Sequence, residues 1–248
     1  MKFNTAEHGY DPIAKIYNEK VAAQCFKNYL PAMEKLLLPH LDSEANLLDV
    51  GCGTGQLVKY LITKGYKVTG IDISEAMLNY ARMNAPEAEF FMVSAVDLDF
   101  TSTFDGIVST GALSHIMNIE EINRVAQNIY KALKKNGILF LNMFLEEMYQ
   151  QYWSDNFYFE KNDDHVSITH TTHDAIEKIA KCNLTTFSLV EDRWKRLDMT
   201  FIDKIYTRNE IQLVLEKAGF KEIGIFDEKH DLKISEMAGS TYFVCHKM

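Results

Sequence analysis

Short apolar runs alternate with amphipathic stretches along most of the chain, a rhythm that predicts strand and helix in turn. Leu47, Leu48 and Val50 make one run, Gly51-Cys52-Gly53-Thr54-Gly55 follows, and an amphipathic stretch begins at Gln56. Residues 67–74 make a second buried run, with Ser74 as N-cap of a helix through Ala85 that Pro86 ends. Residues 88–93 read as the third strand and 104–109 as the fourth. Residues 118–135 read as an amphipathic helix stopping at Lys134-Lys135-Asn136-Gly137, and 138–144 as the fifth strand. Upstream, residues 8–38 have helical spacing, with Pro12 near one start, Pro31 interrupting the pattern and Pro39 closing it. Residues 145–206 break the alternation. Aromatics come in quick succession (Tyr149, Tyr152, Trp153, Phe157, Tyr158, Phe159), then period-two stretches at 165–170, 182–190 and 194–206 predict an antiparallel meander, with 175–181 open to a short helix. A helix opening at Thr207 with Glu210 three residues on, and strands at 222–226 and 241–246 joined by a polar loop over 227–239, complete the pattern.

The chemistry concentrates at residues 46–55. A buried strand running into three glycines and then a helix lets the chain reverse, and it brings bare backbone and helix-start N–H groups up to a ligand. A dinucleotide turn would read G-x-G-x-x-G, but the position three after Gly53 is Gln56. Asp49, just before the turn, would repel a pyrophosphate and suits an ammonium group. The ligand at this turn should carry a cation.

Leu47-Leu48-Asp49-Val50-Gly51-Cys52-Gly53-Thr54-Gly55 resembles motif I of the class I S-adenosylmethionine-dependent methyltransferases over nine positions. The resemblance covers 46–144 closely and 207–246 in outline. It implies an α/β fold, a doubly wound, mostly parallel seven-stranded sheet whose last strand is antiparallel, with an antiparallel β insertion after the fifth strand. It implies S-adenosyl-L-methionine as cofactor, S-adenosyl-L-homocysteine as product, and Asp49, Gly51, Cys52, Gly53 and Gly55 as cofactor-binding residues. Asp72, at the end of the second strand, matches the acid of motif II and stands where both ribose hydroxyls are taken; a solvated loop aspartate is the alternative. Ile73 and Met77 are further cofactor-binding candidates. Ser94, Ala95 and Val96 fall at the adenine corner, where the family's common acid position is occupied by Ser94; the serine, Asp97 or the Ala95 backbone takes that role. Ser109 and Thr110, also expected to bind the cofactor, end a strand that resembles motif IV, and the Asp/Asn-Pro-Pro-Tyr of enzymes methylating nucleic acid bases is not there.

The stretch from Tyr10 to Tyr17 is similar to a segment that covers the cofactor in small-molecule methyltransferases, so 1–40 is expected to be a helical lid on a core formed by 1–144 and 207–248; a stripe packed on the sheet is the other reading. Residues 145–206 are expected to form an inserted subdomain that selects substrate. Tyr10, Tyr17, His115, Trp153 and Trp194 are the substrate-binding candidates, and Tyr17 is expected to bind the cofactor as well. His115 either accepts a proton from the nucleophile or is structural. His165, His170 and His173 line the substrate pocket or, less simply, hold a metal; no metal is expected, since Cys, Asp and Glu are missing at the needed spacing. Arg193, Lys195 and Arg196 read as solvated hairpin charges, with an acidic substrate as the alternative.

The net charge of −9 speaks against a broad electropositive face for nucleic acid, and 47% hydrophobic content over 248 residues is ample for a core. No apolar run reaches the roughly 20 residues of a membrane span, and the first residues lack a signal-peptide pattern, so a cytoplasmic monomer or homodimer is expected. Cys25, Cys52, Cys182 and Cys245 lie far apart with no C-x-x-C. The expected activity is methyl transfer to an O or N nucleophile of a metabolite, where alignment and exclusion of water dominate and no acid–base pair shows in the sequence. A cofactor-binding domain acting through partners, and an NAD-dependent oxidoreductase, are the competing readings.

Overall fold

The structure is a computed structural model and describes residues 2–4, 9–235 and 239–248. Its strands are β1 (Lys2–Asn4), β2 (Asn46–Val50), β3 (Lys67–Asp72), β4 (Glu89–Met92), β5 (Phe104–Thr110) and β6 (Leu133–Phe144). They continue as β7 (Asn156–Lys161), β8 (His165–Asp174), β9 (Ile179–Val190), β10 (Arg193–Lys204), β11 (Glu222–Asp227) and β12 (Ser240–His246). The helices of seven or more residues are α1 (Ala22–Leu36), α2 (Gln56–Thr63), α3 (Glu75–Asn84), α4 (Ile119–Ala132), α5 (Glu146–Tyr152) and α6 (Arg208–Ala218).

Seven strands form one sheet in the order β11-β12-β6-β5-β2-β3-β4. All run parallel except β12, which pairs antiparallel with both β6 and β11. Strands covered on both faces read as continuous apolar runs, and β2 shows why: Leu48 and Val50 enter one buried cluster while Leu47 enters the other. On the first face α4 and α6 pack through Val125, Ile129, Ile211 and Leu215; on the second, α1, α2 and α3 pack through Met33, Val58, Leu61 and Leu78. Local chemistry sets the helix ends. Ser74 Oγ accepts the Met77 amide at 3.1 Å, and Thr207 and Glu210 exchange hydrogen bonds in the capping box that their spacing predicts.

The segment 145–206 gives the expected antiparallel meander, a second sheet in the order β1-β10-β9-β8-β7. It joins the core through the buried cluster of Met148, Tyr149, Ala180 and Ile205. β1 adds to it in parallel, Lys2 opposite Asp198, a pairing that three residues are too few to announce. Several boundaries differ from expectation. Residues 175–178 form a turn, with Lys178 at φ 52, because β8 and β9 must reverse there, so the short helix is not formed. The helix predicted to 135 ends at Ala132, and 133–137 belong to an irregular start of β6 where the register with β5 shifts. Pro31 sits inside α1 without ending it. The expected loop 227–239 contains a π turn at Glu228–Leu232 that buries Leu232. Residues 5–8 of the expected lid, and 236–238 of that loop, lie outside the described residues. Among the described residues no helix is long and apolar enough to cross a membrane.

Candidate functional site

The glycine turn joins β2 to α2 at the carboxyl end of the parallel strands, where open α/β sheets keep ligands. Gly51 and Gly55 adopt φ 77 and 79. A Cβ on Gly51 would lie 2.3 Å from the Ala112 Cβ, and one on Gly55 3.0 Å from the Ala81 backbone, so the turn is pressed against its neighbours on two sides. Gly53 faces open space, with the Tyr17 ring 3.8 Å from its would-be Cβ. The turn is tied down by its own amides: Gly51 and Cys52 donate to the Ile71 carbonyl at 2.8 and 3.0 Å, and Gly53 donates to Asp72 Oδ2 at 2.9 Å.

A cavity of about 910 Å³, its open mouth included, lies beside this turn. Tyr10, Tyr17, Gly51, Gly53, Asp72 and Ile73 line it, as do Met77, Ser94, Ala95, Thr110 and His115. A second space of about 410 Å³ shares Tyr17, Gly51, Gly53 and Thr110 with the first and adds Asp49, Cys52, Thr54 and Tyr29. The two spaces together run past the turn on both sides. Other expected residues are elsewhere. Gly55 packs on Ala81, and Val96 gives its amide to Ser94 Oγ at 3.3 Å. Ser109 is fully buried and donates to the Val50 carbonyl at 2.9 Å, because its side chain points into the sheet interior.

Asp49 is 2% exposed, and its carboxyl has no hydrogen-bonding or ionic partner among the described residues. Burial, with the Asp72 charge adding to it, pushes its carboxyl up to about 8. A buried carboxyl facing a cavity without a counter-charge fits the ammonium end of S-adenosylmethionine, and bare backbone at Gly53 fits its close approach. Asp72 is raised by burial, an effect opposed by the amides of Ser74 and Gly53. Each of its oxygens accepts one of these amides at 2.9 Å and keeps a lone pair for a hydroxyl. These residues fit the cofactor.

Residues 10–21 lie across the turn as a 3-10 turn (Asp11–Ile13), one α turn (Ala14–Ile16) and a π turn (Tyr17–Val21). Asp11 Oδ1 accepts from Ser74 Oγ at 2.5 Å, and Asn18 Oδ1 accepts from Gln56 Nε2 at 3.2 Å and Asn84 Nδ2 at 2.8 Å. Those bonds fasten the segment to the starts of α2 and α3 and to the end of α3.

Opposite the turn stands an arrangement that no local pattern shows. His115 Nδ1 lies 2.7 Å from Asp203 Oδ1, and Tyr149 donates to Asp203 Oδ2 at 2.9 Å. The other imidazole nitrogen, Nε2, is 2.6 Å from the Tyr10 hydroxyl. Nδ1 also lies 3.3 Å from the Ile202 carbonyl, so it carries the proton between that carbonyl and the Asp203 carboxylate, and Nε2 accepts from the phenol. Burial works against the imidazolium, yet the hydrogen bond and charge of Asp203 outweigh it, so the His115 pKa is raised. Burial and the same charge hold Tyr10 as a neutral phenol. Phe201 packs on the Tyr10 ring at 5.1 Å.

Asp203 went unnoticed in the sequence, as did Tyr29 and Asp11. One signal was present: Met199, Phe201, Asp203 and Ile205 share the inward register of β10 and its end, and a carboxylate buried to 5% in an apolar register needs a partner. Trp153 and Trp194 are not brought to the cavity. Trp153 packs on Tyr149, and Trp194 is 50% exposed at the β9–β10 turn, the far end of the strand that carries Asp203. His165, His170 and His173 face Ser188, Asp155 and the Trp153 carbonyl in turn, so they do not converge on one point.

Residues 47–137 match the family described as Methyltransferase domain. A protein of Geobacillus sp. (strain WCH70), named as a methyltransferase with no substrate in its name, is 29% identical over 212 residues, covering 81% of this chain and 84% of its own. Among solved structures, an S-adenosylmethionine-dependent methyltransferase of Clostridium acetobutylicum ATCC 824 superposes with TM-score 0.79 at 16% identity, over 96% of this chain and 98% of the other. An amino pentose methyltransferase of Micromonospora echinaspora, solved with S-adenosylmethionine bound, superposes with TM-score 0.76 at 17% identity, over 94% and 97%. The structural likenesses speak to the fold, and the sequence matches speak to the glycine turn and the strands around it. Residues 47–137 are thus a methyltransferase domain by sequence match, set in a fold shared with S-adenosylmethionine-dependent methyltransferases.

Proposed function

We propose that the chain methylates an oxygen or nitrogen nucleophile of a small molecule and that His115 removes the proton from that nucleophile. The observation that carries this is the His115–Asp203 pair, whose second nitrogen, held by the Tyr10 hydroxyl, lines the same cavity as the glycine turn. S-adenosylmethionine, when bound, supplies a methyl group on a sulfonium, which leaves as a neutral thioether. Asp49 takes the ammonium of that cofactor, Asp72 its ribose hydroxyls, and the backbone at Gly51 and Gly53 lets it approach. Tyr10 and Tyr17 roof the reacting groups and exclude water. His115 Nε2 takes the acceptor's proton in place of the Tyr10 hydroxyl, and Asp203 holds the imidazole in the tautomer that can do so. In this reading 1–40 is the lid, and the second sheet, with Asp203 at its inner end, shapes the acceptor space.

The acceptor class follows from charge. No lysine or arginine lines either space among the described residues, and residues 1, 5–8 and 236–238 contain none. Arg196 is engaged by Asp198 at 2.9 Å, and Arg193 is exposed at the β9–β10 turn. Such walls suit a neutral or amine-bearing acceptor better than a carboxylate or phosphate. The sugar-directed activity in the name of the Micromonospora echinaspora structure points the same way. The test is label transfer from methyl-tritiated S-adenosylmethionine into a metabolite extract separated by charge. Labelled product in the neutral or basic fraction is expected, and no labelled product from any fraction would refute the reading.

A further inference from the structure

The second sheet is open at β7: β8 pairs with one edge of that strand, and among the described residues nothing pairs with the other. Exposed edges are ordinarily blunted by charge, proline or a bulge, because their free amides template another strand. Here charge is confined to Glu160 and Lys161 at one end, and the rest of the edge carries Phe157, Tyr158 and Phe159, exposed at 56, 50 and 73%. Phe157 and Phe159 share one face with ring centroids 6.4 Å apart, and His170 lies flat on Phe157 at 4.2 Å. A row of stacked rings ending in water is apolar surface prepared for a cover.

We propose that β7 pairs antiparallel with β7 of a second copy of this chain, joining the two five-stranded sheets across a twofold axis. The strand's own sequence favours that occupant. A twofold axis perpendicular to the sheet keeps each face on its own side, so it must pass beside a single residue type, at 157, 158 or 159. Centred on Tyr158, the register sets Phe157 against the partner's Phe159, Asn156 against the partner's Glu160, and Asp155 against the partner's Lys161. Each of these contacts occurs twice by symmetry. Centring on Phe157 would oppose Phe159 to Asp155, and centring on Phe159 would oppose Phe157 to Lys161 and Tyr158 to Glu160. The Tyr158 register alone matches ring with ring and acid with base. Lys161 has no ion-pair partner among the described residues, and Asp155 uses only Oδ1, on His170 at 2.6 Å. Both are free to meet across the axis. The pairing lies on the opposite side of the sheet from β10 and is independent of the reaction proposed above.

Light scattering and sedimentation on the full chain test this. The expected mass is twice the 28.5 kDa of one chain. Asp155→Lys and Lys161→Asp each turn two attractions into repulsions and should raise the dimer dissociation constant about tenfold or more, while the double reversal should restore it to within about threefold. Phe159→Glu should leave single chains with an unchanged circular dichroism spectrum, since the side chain is mostly exposed. A wild-type chain that stays single at every concentration, or an oligomer that any of these tests leaves unmoved, overturns the proposal.

Discussion

The two walls of the cleft are built on opposite plans. The cofactor wall is continuous in sequence: Asp49, Gly51 and Gly53 fall within five residues, and Asp72 comes one strand later, its carboxylate bound to the Gly53 amide. The wall proposed for the acceptor is assembled from Tyr10, His115, Tyr149 and Asp203, residues from four separate segments. A contiguous wall keeps one ligand through many changes elsewhere in the chain. A wall gathered from distant segments changes whenever one of them does, and it is where specificity resides.

If the walls are separable in this way, substitutions should split cleanly between turnover and cofactor affinity. His115→Ala is expected to have the largest effect, a fall in kcat of about a hundredfold or more, with S-adenosylhomocysteine affinity by calorimetry unchanged. Loss of both together would show that the walls are not independent. Asp203→Asn should follow, with kcat about ten- to a hundredfold lower. Its pH profile is diagnostic. The base must be neutral, so activity is lost as pH falls through the His115 pKa, which Asp203 holds above 6.5. Removing that charge moves the acidic limb to lower pH, and an unmoved limb would assign Asp203 to structure alone.

On the other wall, Asp72→Ala should weaken cofactor binding by about 1.5 to 3 kcal/mol, the scale of hydrogen bonds to a charged group, and should move the His115 limb to lower pH by less than Asp203→Asn does, since Asp72 is the smaller of the two charges raising that imidazole. The smallest effect belongs to Asp49. Its carboxyl, at about 8 without ligand, must ionise to meet an ammonium. Affinity is therefore complete above that pH and weakens as pH falls below it, by about tenfold per unit at most. In Asp49→Asn this dependence should vanish, and titration calorimetry across the window reads both outcomes.

The sequence shows these walls unequally for the same reason. The order of strands and helices, the glycine turn and the capping box of α6 are set by neighbours within a few residues, and all were legible. The meander was legible because one-face burial imposes period two. Asp203 and His115 stand 88 positions apart and meet only because β10 folds back beside the segment after β5, so no spacing rule joins them. Trp194 was misplaced on composition: a tryptophan suggests a pocket, but register and position on β10 put it at the outer turn. Ser109 failed for a related reason, since the end of a strand alternates between cavity and interior, and one residue decides which.

The hydrogen bond between Tyr10 and His115 has a consequence for the idle enzyme. With its lone pair already answered by a phenol, the imidazole has little to offer a stray water, and an arriving molecule must evict that hydroxyl before anything can happen. With His115 as the proposed base, selection would begin at admission: only compounds able to take over the vacated contact would wake the machinery.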